Sequence, residues 1–151
     1  MASQIALDDV DRGLLHELLM DARQSYHKLA SKLGIAVGTV RARIQRLEKS
    51  GVIIDYSVRL NHEIIGYTLT AVTEVTVSKG KLLETEKEIA TWPFVCAVYD
   101  ITGLTDVLVI AKFRTREDLS SFTKRLLSLP FVERTNTHVV LSSAKEDFRL
   151  L

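Results

Sequence analysis

Four cations crowd one short stretch of the chain. Gly34-Ile35-Ala36-Val37-Gly38-Thr39-Val40-Arg41-Ala42-Arg43-Ile44-Gln45-Arg46-Leu47-Glu48-Lys49-Ser50-Gly51 sets Arg41, Arg43, Arg46 and Lys49 against the lone carboxylate of Glu48, leaving three net positive charges. Guanidinium and ammonium groups at this density, after a glycine turn, suit the binding of phosphate. Arg41 and Gln45 also have the reach for bidentate pairing with the edges of guanine and adenine. The same composition also describes a solvated cationic helix. No other chemistry finds such a cluster. His16, His27, His62 and His138 are scattered, Cys96 stands in an apolar run as a small buried hydrophobe, and no H-x-x-H, C-x-x-C or nucleophile elbow occurs. No metal or other cofactor is expected, and the chain does not read as an enzyme.

The elements around the cations suggest how they are presented. Val40, Ile44 and Leu47 recur at i, i+4 and i+7 and form an apolar stripe, so Gly38, Ala42, Gln45 and Lys49 point the opposite way. Upstream, Asp8 is placed to cap a first helix whose Val10, Leu14 and Leu18, flanked by Leu15 and Leu19, make a wide buried face. The pattern breaks over 20–24. Ser25 then caps a second helix with Leu29, Ala30 and Leu33 inward, and Gly34 ends it. Helices this short must dock on one another to be stable. The link 34–37 has the length used inside a helix-turn-helix, which aims its second helix at a major groove.

Composition bounds the class. The chain has 151 residues, 46% apolar and 26% charged, enough for one domain or two small ones with a real core. Net charge is only +1, so a nucleic-acid surface has to be local: residues 1–60 carry nine Lys/Arg and seven Asp/Glu, residues 61–151 eleven and twelve. One cysteine excludes an internal disulfide framework, and there is neither an apolar run of membrane length nor a charged-then-apolar leader. These features predict a soluble cytoplasmic protein with no membrane partner. The tails, 1–6 and 145–151, are expected to fray, with Phe148, Leu150 and Leu151 able to dock on a partner.

The run 52–60 is apolar and β-prone and is expected to be a strand tethering two domains. A polar-to-apolar connector follows, and 67–77 alternates as a long strand through Leu69, Ala71, Thr73, Val75 and Val77. Trp92-Pro93-Phe94-Val95 and Leu129-Pro130-Phe131-Val132 then repeat 37 residues apart, each after an amphipathic helix (81–91 and 116–128) and before a β-rich run. Strands over 95–102 and 106–113 join through Gly103-Leu104-Thr105. The expected fold is α+β: a helix-turn-helix domain over 1–51, a hinge strand and linker over 52–65, and a βαββαβ ferredoxin-like domain with a C-terminal tail over 66–151. Right-handed crossovers put both helices on one face of a four-stranded antiparallel sheet and leave the other, with residues such as Val72, for a partner.

Three signatures in order carry a family resemblance: Leu7-Asp8-x-x-Asp11, then Lys28-Leu29-Ala30-x-x-Leu33-Gly34, then Val40-x-x-Arg43-Ile44-x-x-Leu47-Glu48-x-x-Gly51-Val52-Ile53. Together they resemble the N-terminal domain of the Lrp/AsnC family of feast/famine transcriptional regulators. The resemblance implies double-stranded DNA as partner, with Ser25, Gly38, Thr39, Arg41, Ala42, Arg43, Gln45, Arg46 and Lys49 as the DNA-facing residues. Arg46 and Lys49 fall to phosphate, and Arg43 leans toward the buried flank near Asp11. The family usually carries Ser where this chain has Ala36, so one phosphate contact and one helix cap are missing. Its second domain, a sensing module whose sheets pair in dimers, is matched by the loop Thr102-Gly103-Leu104-Thr105-Asp106. There a glycine N–H would meet the carboxylate of an amino-acid effector and Asp106 its ammonium, with Thr135, Thr137 and His138 on the last strand as further candidates. The loop reads equally as a hairpin glycine and a turn acceptor. The resemblance implies homodimers assembling to even oligomers, commonly an octamer. Two alternatives remain at this point: an architectural DNA-binding protein without effector, and a haem-pathway decarboxylase of similar fold, whose basic hinge differs from Ile54-Asp55-Tyr56-Ser57.

Overall fold

The computed structural model describes residues 5–151, so the expected fraying of residues 1–4 lies outside the described residues. The chain divides into two compact units, one running up to Arg59 and including Glu146–Leu151, the other Leu60–Lys145.

The first unit holds α1 Asp9–Met20, α2 Tyr26–Leu33 and α3 Val37–Lys49. Side-chain chemistry sets their ends. The Asp8 carboxylate accepts from the Asp11 N–H at 2.8 Å while Asp11 accepts from the Asp8 N–H at 3.2 Å, a reciprocal capping box. The Ser25 hydroxyl accepts from the Lys28 N–H at 3.2 Å, and Gly34 closes α2 at φ 65°, where a side chain would be strained. Ala36 starts α3 with no side-chain cap, at a cost of about 1 kcal/mol. Leu14, Leu29, Ala30, Val40 and Ile44 form the core, with Val10, Leu18, Leu33 and Ile35 packed against it. Each large side chain so buried stabilises by about 1.5–3 kcal/mol, which is what holds helices of eight to thirteen residues together.

Two expectations fail in this unit. The run 52–60 is not a strand and joins none of the sheet's four strands. A strand needs a neighbour to satisfy its backbone, and here only the first residues find one, Val52 and Ile53 donating to the Leu47 carbonyl at 3.0 and 3.1 Å. Ile54, Tyr56, Val58 and Leu60 are left exposed. The tail 146–151 is not loose either: Arg59 donates to the Glu146 carbonyl, and Arg149 binds Asp147 at 2.8 Å and the Leu19 carbonyl at 3.4 Å.

The second unit runs β1 Leu69–Val77, α4 Leu82–Ala90, β2 Val95–Asp100, β3 Val107–Phe113, α5 Arg116–Leu127 and β4 Val132–Val139, the expected βαββαβ order. Its sheet is antiparallel throughout, in the order β2-β3-β1-β4. Ala71, Thr73, Val75 and Val77 of β1 and Val107, Val109, Ala111 and Phe113 of β3 alternate into a core closed by Ile89, Trp92, Phe122 and Leu126. Trp92 meets Phe122 edge-on at 5.8 Å and anchors the end of α4, its indole N–H donating to Glu88 at 3.1 Å. On the other face, the register sets Val72 beside Ile110 and His138, and Leu108 beside Tyr99. Cys96, expected inside, is exposed: β2 is an edge strand, and a register shift between Val95 and Ala97 breaks its alternation there. Among the described residues no helix is long and apolar enough to cross a membrane.

Candidate functional site

The apolar stripe of α3 faces the core, so the opposite side is presented outward. Gly38, Thr39, Arg41, Ala42, Gln45, Arg46 and Lys49 are all exposed, Gly38 through Gln45 within the first nine residues of the helix and Lys49 at its end. A Cβ built on Gly38 would meet nothing within 4 Å, and its φ is not in the left-handed region. Neither packing nor backbone within the described residues therefore requires a glycine there. Ser25 is exposed at the start of α2, with its hydroxyl accepting the Lys28 N–H.

The cations divide in two. Arg43 donates to the Asp8 carboxylate at 2.7 Å and to Asp11 at 2.9 Å, as its inward lean suggested. Arg46, expected at phosphate, also donates to Asp11, with its side chain still half-exposed. Asp11 is fully buried at the first turn of α1 and accepts from both guanidiniums and from the Asp8 N–H, so its charge is well compensated. The Arg43 hydrogen bond, with the Asp11 N–H adding to it, holds the Asp8 carboxyl down at about 2. The sequence hinted at the Asp11–Arg43 contact; Asp8 as a partner, and Arg46 as a second one for Asp11, it did not, because α1 and α3 meet only in the folded unit. Arg41 and Lys49 form no ion pair among the described residues. They are the cations left for a ligand. Tyr56 was also missed. Its hydroxyl donates to Glu48 at 2.8 Å, and burial together with that carboxylate pushes it up to about 12.

The loop candidates lie at the head of β3. Thr102, Gly103 and Leu104 are exposed, Leu104 completely, and Gly103 adopts φ 135°, a conformation suited to glycine alone. Asp106 is half-buried and already employed: its carboxylate accepts from the Val77 N–H at 2.8 Å, its own N–H donates to the Val75 carbonyl at 3.0 Å, and its carbonyl accepts from Ile101 at 2.9 Å. It thereby extends the β1–β3 pairing past the last β3 partner, on the opposite edge of β1 from β4. Thr105 is half-buried beside it. The last-strand candidates do not converge. Thr135 and Thr137 pair with Val75 and Thr73 on the helix-covered face, Thr137 sharing a 3.1 Å hydrogen bond with Thr73, while His138 lies on the opposite face near Asn136 and Glu74. Residues 135 and 138 differ in parity, so one strand cannot turn both to one ligand. Among the described residues no group of three or more His, Cys, Asp or Glu is placed to hold a metal ion.

A helix-turn-helix with an exposed small and basic face, on the same chain as a separate ferredoxin-like unit, defines a DNA-binding regulator with an appended sensing domain. Residues 7–48 match the AsnC-type helix-turn-helix domain and residues 70–150 the Lrp/AsnC ligand binding domain, and the chain belongs to the Lrp/AsnC family of transcriptional regulators. It is 52% identical over 144 residues to an uncharacterized HTH-type transcriptional regulator of Pyrococcus horikoshii, covering 95% of this chain and 97% of the relative. Solved structures agree. A transcriptional regulator of Neisseria meningitidis in complex with L-methionine is 26% identical with a TM-score of 0.89, covering 97% of each chain. The feast or famine regulatory protein of M. tuberculosis complexed with L-methionine is 28% identical with a TM-score of 0.84, covering 95% of this chain and 97% of that one. These relatives are regulators and not enzymes, which removes the decarboxylase alternative.

Proposed function

We propose that this regulator reads DNA with the outward face of α3 and responds to an amino acid through its second domain. The observation that carries the DNA reading is the exposed line Gly38, Arg41, Ala42, Gln45 and Lys49, with both of its cations unpaired among the described residues. Thr39, Arg41 and Gln45 read base edges, Gly38 and Ala42 allow close approach, and Lys49, with Ser25, meets phosphate. Arg43 and Arg46 act at one remove, fixing α3 to α1 through Asp8 and Asp11. The functional boundaries are taken as 1–51, 52–65 and 66–151, and the chain is read as acting in the cytoplasm.

The effector reading rests on the family and on the two relatives crystallised with L-methionine. In it Gly103 offers backbone to the ligand carboxylate, and the Asp106 oxygen not bound to Val77 takes the ammonium. Thr102, Leu104 and Thr105 border that loop, and since Thr135 and Thr137 share one face of β4 and His138 takes the other, a ligand meets one set or the other. A completely exposed leucine at position 104 supports a loop that is covered in an assembly. The same argument supports dimers, because Ile54 and Val58, 91% and 79% exposed, alternate with polar residues along a run that joins no strand. Dimers assembling further, to the family's octamer, would give paired half-sites about one helical turn apart. A thermal-shift screen of the twenty amino acids tests the effector, since a ligand at 100 times its dissociation constant stabilises by about 2.7 kcal/mol. If none moves the melting temperature, the chain is an architectural DNA-binding protein. Light scattering tests assembly, and a concentration-independent monomer would refute it.

A further inference from the structure

We propose that the second unit carries another ligand site, away from the 102–106 loop, for a small carboxylate with an aromatic or branched apolar body. The site is a cleft of about 380 Å³ beside α5 and the end of β3, within the ~300–1,000 Å³ range of small-molecule pockets. Its floor is aromatic. Phe94 lies 5.6 Å from Phe113 and 5.7 Å from Phe122, and all three line the cleft. Asp118, Ser121, Phe122 and Arg125 of α5 fall at i, i+3, i+4 and i+7, so one helix face supplies a wall.

The rim is cationic and held in place. The Arg114 guanidinium stacks on Tyr67 at 4.6 Å and forms no ion pair among the described residues. Gly66 leaves it room, since a Cβ there would stand 3.0 Å from its terminal nitrogen. The Arg125 guanidinium stacks on Trp92 at 3.9 Å and pairs with Glu88 at 3.5 Å, both partners half-exposed. Lys112 adds a third cation, hydrogen-bonded to Thr70 at 3.3 Å. The one carboxylate on the lining, Asp118, accepts the Thr115 N–H at 3.1 Å to cap α5. Guanidiniums pre-oriented by stacking lose little freedom on binding a carboxylate, and an aromatic floor beneath them selects against bare inorganic anions. The site differs from the proposed effector loop because seven-residue β3 lies between them, about 23 Å at ~3.3 Å per residue.

Isothermal titration of the full chain with phenylpyruvate tests this, with phenylacetone and inorganic phosphate as neutral and non-aromatic controls. We expect saturable binding of phenylpyruvate only, accompanied by a change in the fluorescence of Trp92, the sole tryptophan, on which Arg125 stacks. Arg114→Gln, an exposed change, should weaken binding at least tenfold with an unchanged ligand-free melting temperature, while Asp106→Asn should leave the affinity as it is. Absence of saturable binding, equal binding by phosphate or phenylacetone, or an Arg114→Gln chain that binds as wild type would overturn the proposal. Loss of binding in Asp106→Asn would overturn it too, by moving the ligand to the loop.

Discussion

Gly38→Ala separates what α3 does for the fold from what it does for DNA. Gly38 is the second residue of the helix, its backbone is not left-handed, and an added methyl meets no atom within 4 Å. By folding alone, alanine is the better residue, by roughly 0.5–1 kcal/mol. A chain of this length should gain about 1–4 °C in melting temperature. Against DNA the sign reverses. The methyl would stand on the face proposed to lie on the groove floor, and holding the helix off by its thickness loosens the contacts of Arg41 and Gln45. Losing one good base contact costs about 1–3 kcal/mol, so affinity should fall by about 5- to 150-fold. Calorimetric melting gives the first quantity. Fluorescence anisotropy at fixed salt, on a fragment selected in vitro with the wild-type protein, gives the second. A variant that melts higher and binds that fragment equally well would refute the close approach of Gly38. One that melts lower would show a structural need for the glycine that the open space around it denies.

The two ends of the cation set should also part company. Lys49→Ala should weaken binding to all DNA alike and reduce the salt slope by about one unit, whereas Arg46→Ala, which removes a partner of buried Asp11, should lower stability and leave the slope nearly unchanged; equal slopes lost in both would mean that Asp11 does not hold Arg46. Acid unfolding should report the Asp8–Arg43 pair. With the Asp8 carboxyl held at about 2 against its ordinary 3.8, its stabilisation is complete above about pH 4 and is lost as pH falls through about 2. Asp8→Asn should flatten that part of a urea-stability profile followed by circular dichroism, and an identical acid limb in both proteins would count against the pair. At the loop, Asp106→Ala should destabilise by about 1–3 kcal/mol because it orphans the Val77 N–H. Asp106→Asn keeps an acceptor there and removes only the charge, so it should melt near wild type and lose the amino-acid response. A retained response in the Asn chain would reduce Asp106 to a structural acceptor.

What could be read before folding was whatever depends on neighbours in sequence. Asp8, Ser25 and Gly34 act within a few residues of themselves, and the capping chemistry found at each follows from residue type and spacing. The same holds for the βαββαβ order, since the Pro-Phe-Val repeat, the period-2 runs and the amphipathic helices are local patterns. The errors fall where a partner from far along the chain decides. The Arg46–Asp11 pair was not legible because Asp11, 35 residues away, is brought beneath Arg46 only when α1 packs on α3. Cys96 looked buried because a register slip on an edge strand is not written in its apolar neighbours. The run 52–60 looked like a strand, and its alternation of exposed Ile54, Tyr56, Val58 and Leu60 still fits one, but propensity supplies half of a strand and a ladder partner the rest. Asp106 combines both kinds of information. The sequence left a ligand group and a turn acceptor open, and the fold engages one oxygen at Val77, so a carboxylate can help build the loop and still keep a lone pair for an ammonium. A loop stiffened by the same group that is proposed to bind would already be arranged for its ligand, which is the condition under which a small amino acid can be held by few contacts.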